Sequence, residues 1–390
     1  MRDGKLVSAQ IGCGKFAHAQ DLPNMREHDG ILLKWTCDVC RSAADSAKQE
    51  FGAEHSTDDF LEIIADPEVD FVKVATSHEA HLPIIEAAAK AGKHIFCEKP
   101  MAMAEQESYA IMRAVRKNGV KLCVDLNRRM SPALQALRRR FLEQRKAPRH
   151  QPWQYIESVR EPLAEERRAQ LLIRIQDESS SYGMVHLDPV KGGGLIIGET
   201  VHWLDLACWF FAPQYPVEIT AWGSSRLSHG INLLFSGGDN AVITFSCAGT
   251  FCYPKELYEA TVEASLMRSL FFVENNYYGI PDAKNEYFKL QEDPYSDLGD
   301  GFDAFMRKFE RRTQGADSLK RMESARPFIV DKGHKAMLNA FIRSILDGTP
   351  SPCDELAGFR STYLSQLAIQ SLRLKQTLPV PLEMITPNLV

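Results

Sequence analysis

Short apolar runs separated by amphipathic stretches organise the first third of the chain. Residues 6–11, 31–37, 71–76, 94–97 and 121–126 are strand-length and rich in Val, Ile, Leu and Phe. Between them, residues 43–51, 59–65, 81–91 and 105–118 carry apolar side chains at helical spacing. Ser56-Thr57-Asp58-Asp59 supplies side-chain oxygens for a helix start, and Gly92 and Gly119 supply helix stops. Strand and helix in strict alternation predict a parallel sheet wound with right-handed crossovers.

After about residue 127 the rhythm changes. An Arg-rich helical pattern covers 132–144, and strand-like runs then dominate at 171–175, 217–222, 231–235, 241–247 and 258–273. The polar, glycine-bearing stretch 236–240 reads as a hairpin turn. In 241–247, Ile243, Phe245 and Cys247 alternate with Val242, Thr244 and Ser246, the signature of a sheet with two unlike faces. Helical patterns at 334–347 and 356–376 close the chain, and there is no internal repeat. Segments 148–170 and 275–327 are polar and charged and read as insertions or loops.

Composition narrows the class. A chain of 390 residues that is 44% hydrophobic has the apolar content for two domains, expected at 1–127 and 128–390. A net charge of −5 and a pI near 6.2 give no basic field for nucleic acid or an anionic membrane. No run reaches the roughly 18 apolar residues of a membrane span, and no signal-peptide pattern precedes the first strand, so a cytoplasmic location is expected. The nine cysteines sit mostly in apolar runs and read as reduced, buried thiols. Cys37 and Cys40 form a CxxC without a second ligand pair nearby, and no cluster has metal-ligand spacing, so no metal is expected.

Two segments carry chemistry. Gly12-Cys13-Gly14-Lys15-Phe16-Ala17 follows the first strand and matches the dinucleotide pattern G-x-G-x-x-G/A. The first glycine allows the tight turn, the second lets the backbone approach a pyrophosphate, and Ala17 permits close helix packing. Asp38 ends the second strand, 26 residues beyond Gly12, where a carboxylate accepts from ribose hydroxyls and repels a 2′-phosphate, favouring NAD over NADP. Arg41 lies close by as a candidate for the adenine or a phosphate. The second segment is Glu98-Lys99-Pro100, at the end of the run 94–97, where open α/β sheets bind ligands.

Taken together, these residues resemble the Gfo/Idh/MocA oxidoreductase family. The resemblance rests on the glycine loop, on Thr76-Ser77 with His81, and on the run from Ala91 through Glu98-Lys99-Pro100. It continues in Asn127-Arg128-Arg129, in Gly192-Gly193-Gly194 with Gly198-Glu199, His202 and Asp205, and in the ending from Gly333-His334 to Pro350. It implies α/β plus α+β architecture: a Rossmann domain, then a domain with an open, mostly antiparallel sheet flanked by helices. It also implies NAD between the two, and homodimers or homotetramers paired through the open sheet. Thr76, Ser77, Glu98 and Asn127 join Gly12, Gly14, Lys15, Phe16, Asp38 and Arg41 as cofactor candidates. His81 has two readings, a contact on the nicotinamide side or a helix-entry role. Lys99 is expected to touch the substrate oxygen, with its proline after a cis peptide, and His202 to be the acid/base.

One departure from the family pattern matters. Many relatives carry an aspartate four residues before this histidine; here that position is Gly198 and the acid follows at Glu199. Glu199 can face the cofactor or the substrate, and Asp205 lies one turn from His202 and can orient it. Arg128, His186, Glu199 and Asp205 are the further substrate candidates, with Arg129 at the domain junction. Asp188 and Lys191 accompany His186 on an expected loop, and Tyr182, Trp203 and Trp153 are candidates for stacking on a sugar.

Three functional readings follow. The first is an NAD-dependent dehydrogenase of a secondary hydroxyl on a sugar, cyclic polyol or sugar derivative, with Lys99 as electrostatic clamp and His202 as general acid/base. The second is a glycosidase that retains NAD and works through transient oxidation, elimination, water addition and re-reduction. The third is a redox-silent NAD-binding protein.

Overall fold

The computed structural model describes residues 1–146, 168–178, 187–188, 192–250, 253–313 and 330–386. Its first sheet comprises β1 (Leu6–Ile11), β2 (Ile31–Cys37), β3 (His55–Thr57), β4 (Phe71–Val74), β5 (His94–Cys97) and β6 (Leu122–Val124). All pairings are parallel, in the order β3-β2-β1-β4-β5-β6. The strands read as continuous apolar runs because helices cover both faces of such a sheet. The connecting helices are α1 (Leu22–Arg26), α2 (Arg41–Phe51), α3 (Phe60–Ala65), α4 (His81–Lys90) and α5 (Glu105–Asn118). Asp59 caps α3, its Oδ1 accepting from Leu61 N at 2.9 Å. Strand order reverses between β1 and β4, so the crevice at their carboxyl ends is the expected ligand site.

After α6 (Pro132–Lys146) come β7 (Gln170–Gln176), α7 (Val201–Phe211), β8 (Pro216–Gly223), β9 (His229–Phe235), β10 (Asn240–Ser246), β11 (Glu256–Val262), β12 (Ser265–Leu270), β13 (Glu274–Tyr278) and β14 (Glu286–Tyr287). With β15 (Leu378–Pro379) they form a nine-stranded sheet, β14-β13-β12-β11-β7-β10-β9-β8-β15. Every pairing is antiparallel except β7 with β10. The fold class is the expected one, a doubly wound parallel sheet followed by an open, mostly antiparallel one.

Two local expectations change. The run 258–273 is a hairpin, β11 and β12, that turns at Glu263-Ala264 with Glu263 at φ 54°. Its turn lacks Gly, Pro, Asn and Asp, so period-2 alternation masks the reversal. Segment 275–327 is also not all loop. It includes most of β13, all of β14, and α8 (Phe302–Thr313), which seats Phe305 beside Phe271 with ring centroids 5.6 Å apart.

The last helices return to the first sheet. In α9 (His334–Asp347), Phe341 packs edge-on against Phe71 and Phe96. The long α10 (Glu355–Leu374) touches α5 on one side and β8 and α7 on the other, tying the two sheets together. Gly333, at the start of α9, sits at φ +94°, and a Cβ there would lie 2.5 Å from the Asn127 carbonyl oxygen. That close approach seats α9 against the turn after β6.

Buried histidines make stability depend on acid. His81 and His229 are both held down to about 4, chiefly by burial. The unfolded imidazole binds its proton first, so stability is lost as pH falls below about 6.5. Each contributes a loss of up to about 3 kcal/mol by pH ~4. Urea titrations across this window should show a falling midpoint, partly relieved in His229→Gln.

Candidate active site

The glycine loop lies at the end of β1. Gly12 sits at φ +92°, and a Cβ there would lie 2.2 Å from the Ala75 carbonyl oxygen, at the end of β4. Gly12→Ala should therefore cost at least about 3 kcal/mol and weaken dinucleotide binding, measurable by thermal denaturation and calorimetry. A Cβ on Gly14 would meet no atom within 4 Å, so the space above the loop is open to a ligand. Lys15 and Phe16 are exposed beside it, and Phe16 stands edge-on to His334 at 5.7 Å. Asp38 is half-buried where β2 ends; its oxygens accept from Cys13 N at 2.8 Å and Cys40 N at 2.9 Å. These bonds aim the carboxylate at the loop and leave it acceptor capacity for ribose hydroxyls. Arg41 opens α2 and bonds Asp45 at 3.1 Å. Thr76 and exposed Ser77 follow β4. This arrangement fits a dinucleotide: a tight turn, open space over Gly14, and an acid at the second strand end.

Lys99 extends from the end of β5 to the second unit. Its Nζ donates to the Gly198 carbonyl oxygen at 2.6 Å and to Glu199 Oε1 at 2.6 Å. The Lys99-Pro100 bond is cis. A wide helical turn at Ile196–Thr200 precedes α7 and holds both acceptors. Displaced by one position from the family pattern, the acid nonetheless reaches the lysine. Lys255 approaches Glu199 from the other side at 3.6 Å and pairs with Asp177 at 2.7 Å. Burial would raise the Glu199 carboxyl, but Lys99 and Lys255 hold it far below the usual range, so it stays ionised.

His202, on the first turn of α7, is buried, and its Nδ1 has no hydrogen-bond partner. Burial first, then the charges of Arg128 and Lys99, push its pKa well below 6.5. It is neutral at working pH. Asp205 does not orient it: both carboxylate oxygens of Asp205 face Arg129, with Nε at 3.0 Å. This pair, with Asp205 buried and Arg129 partly so, joins the turn after β6 to α7. His78 lies near the wide turn at Ile196–Thr200, its Cε1 3.6 Å from where a Cβ on Gly198 would be.

Other candidates are placed less directly. Arg128 is buried against Glu256, with bonds of 3.1 and 3.3 Å. Glu256 also accepts from Lys332 at 2.9 Å, Trp203 Nε1 at 3.2 Å and Tyr258 Oη at 2.5 Å. Trp203 is therefore a core residue, with no face for a sugar. Asn127 is buried and donates to the Lys332 carbonyl oxygen at 2.9 Å. The His81 ring, at the start of α4, bonds the Pro100 carbonyl oxygen at 2.9 Å, beside the Lys99 segment. Glu98 is buried, with Lys73 Nζ 2.5 Å from its Oε1. His186, Lys191, Tyr182 and Trp153 lie outside the described residues. All eight cysteines among the described residues are free, including Cys37, whose thiol is pushed up to about 12 by burial.

Sequence reasoning missed Lys73, Asp125, Lys255 and Glu256. The first two had a signal, since a charge inside an apolar strand-length run is rarely buried without a partner. The other two begin or precede a strand, where charged residues are unremarkable.

Residues 8–126 match the family model GFO_IDH_MocA, described as an oxidoreductase family with an NAD-binding Rossmann fold. The chain is 43% identical over 102 residues to a levoglucosan dehydrogenase of Pseudarthrobacter phenanthrenivorans, a match covering 26% of each protein. It is 28% identical over 259 residues to an inositol 2-dehydrogenase of Rhizobium meliloti, covering 63% of this chain and 70% of the relative. The chain spans only 26, 37 and 36% of the lengths of three curated relatives, this levoglucosan dehydrogenase and two other oxidoreductases. A solved levoglucosan dehydrogenase in complex with NADH superposes with a TM-score of 0.73 at 18% identity, over 97% of this chain and 99% of that one. At this identity the superposition establishes the fold. No helix among the described residues is long and apolar enough to cross a membrane.

Proposed function

We propose that the chain is a Gfo/Idh/MocA oxidoreductase and, on that premise, an NAD-dependent dehydrogenase of a secondary hydroxyl on a sugar, cyclic polyol or sugar derivative. One observation carries the reading. Lys99, at the end of a strand of the NAD-binding sheet, meets Gly198 and Glu199 of the second unit, one turn before a buried neutral histidine. The named relatives, which act on levoglucosan and inositol, support this substrate class.

NAD, when bound over Gly12 and Gly14 with its ribose at Asp38, supplies the hydride acceptor. The protein's residues manage the proton and the charge. Lys99, fixed by two acceptors, presents an ammonium to the substrate oxygen and steadies negative charge as the hydroxyl loses its proton. Ionised Glu199, bracketed by Lys99 and Lys255, holds that ammonium in place. His202 is neutral and takes the proton at an imidazole nitrogen. Its unpartnered Nδ1 leaves the tautomer free to change. Burial and the surrounding cations keep the histidine unprotonated, the form that can accept a proton.

We place the division between the units at 127/128, with a cytoplasmic, homo-oligomeric protein. The outward face of the second sheet supports self-association: Leu172, Leu234, Val242, Leu257 and Leu266 stand half-buried there on adjoining strands. The function is tested by mixing protein and NAD with polyols and anhydrosugars and following nicotinamide reduction. A substrate-dependent rise, absent without protein, supports it. Aglycone release from aryl glycosides without net reduction refutes it.

A further inference from the structure

Lys73 is a lysine in the middle of an apolar strand, and it is 2% exposed. Its ammonium lies 4.2 Å from the centre of the Phe96 ring. It sits 2.5 Å from Glu98 Oε1, 3.1 Å from Asp21 Oδ1 and 3.9 Å from Asp125 Oδ2. An oxygen from each of these three buried carboxylates lies within 4.8 Å of the others, so the ammonium stands where a metal ion would. His334 Nδ1 closes the far side at 3.0 Å from Asp125. Asp21 Oδ2 and Asp125 Oδ1 have no partner.

Each acid belongs to a different part of the site. Asp21 ends the wide turn that follows the glycine loop. Glu98 directly precedes Lys99, and Asp125 stands between β6 and Asn127. We infer that Lys73 is a positioning residue: one buried ammonium holds the glycine-loop turn, the Lys99 segment and the Asn127 turn in mutual register. The inference rests on the reading that the glycine loop binds NAD.

Burial raises Glu98 and Asp21 even with the lysine present, whereas His334 and Lys73 together keep Asp125 down. The other titratable neighbours are His81, Cys97 and Cys123, all held neutral by burial. Without Lys73, ionised acids would repel one another and spread the three segments. Protonation would relieve that repulsion. A Lys73→Met protein should therefore bind NAD well at low pH and progressively worse as pH rises through the elevated carboxyl pKa values. The native protein should show no such trend, because its lysine stays charged, its pKa pushed upward by Asp21 and Glu98 against the burial penalty.

The test is calorimetric titration of NAD into native protein, Lys73→Met and Lys73→Met/Asp21→Asn at about pH 6 and about pH 8.5. The expected result is a weakening of at least roughly tenfold between the two pH values in the single variant. The change should be under about threefold in the other two proteins, since the amide removes one of the competing charges. A single variant that binds NAD as the native protein does at both pH values overturns the inference. If the single variant does not fold, a folded, NAD-binding double variant supports a charge role, and a double variant that also fails to fold overturns it. Failure of the native protein to bind NAD would instead refute the cofactor reading.

Discussion

Lys99→Ala should lower turnover by about 10³-fold while leaving NAD affinity within about threefold of native. That is about 4 kcal/mol of transition-state stabilisation, the scale of removing one preorganised cation from a developing oxyanion. The cofactor should remain because the glycine loop and Asp38 do not depend on Lys99. The fold should remain because Glu199 keeps Lys255 at 3.6 Å, so its carboxylate is not left without a cation. Lys99→Arg should recover little. A planar guanidinium cannot place one donor on the Gly198 carbonyl oxygen and another on Glu199 where the ammonium now sits. Single-turnover rates and NAD titrations on the same preparations check the split between chemistry and binding.

His202→Asn should lower turnover by about 10²-fold to 10³-fold, with a diagnostic change in the pH profile. In the proposed mechanism the imidazole acts as base in its neutral form. Its pKa lies well below 6.5, so oxidation should hold constant from neutral into mildly acid pH and fall only below that. The asparagine variant should lose this acid limb, because no group remains there to be protonated. Native-like rates in His202→Asn would remove the histidine from the mechanism. A limb that persists unchanged would assign it to another group.

Much of the site could be read from the chain because its parts stand at strand ends. The glycine loop, Asp38 and Lys99 each follow an apolar run, and parallel topology brings such positions to one edge. His202 and Glu199 were legible only through family resemblance, since a histidine on an apolar helix has no local signature. Asp205 illustrates the limit of spacing. One helical turn from His202, it was placed to orient the imidazole, but Arg129 from the turn after β6 takes both its oxygens. A tertiary partner more than 70 residues away prevailed over a helical neighbour, and no periodicity encodes that. The Glu256 hub, with donors from Arg128, Lys332, Trp203 and Tyr258, was hidden for the same reason. The turn at Glu263-Ala264 was missed because its residues are not turn formers.

The most direct test of the central claim is the absorbance of reduced nicotinamide in native protein and Lys99→Ala, each saturated with NAD and mixed with a panel of cyclic polyols, anhydrosugars and aryl glycosides. The account predicts steady NADH formation with at least one polyol or sugar in the native protein, reduced about 10³-fold in the variant. NADH formation at equal rates in both proteins, or aglycone release with no net NADH, would contradict it.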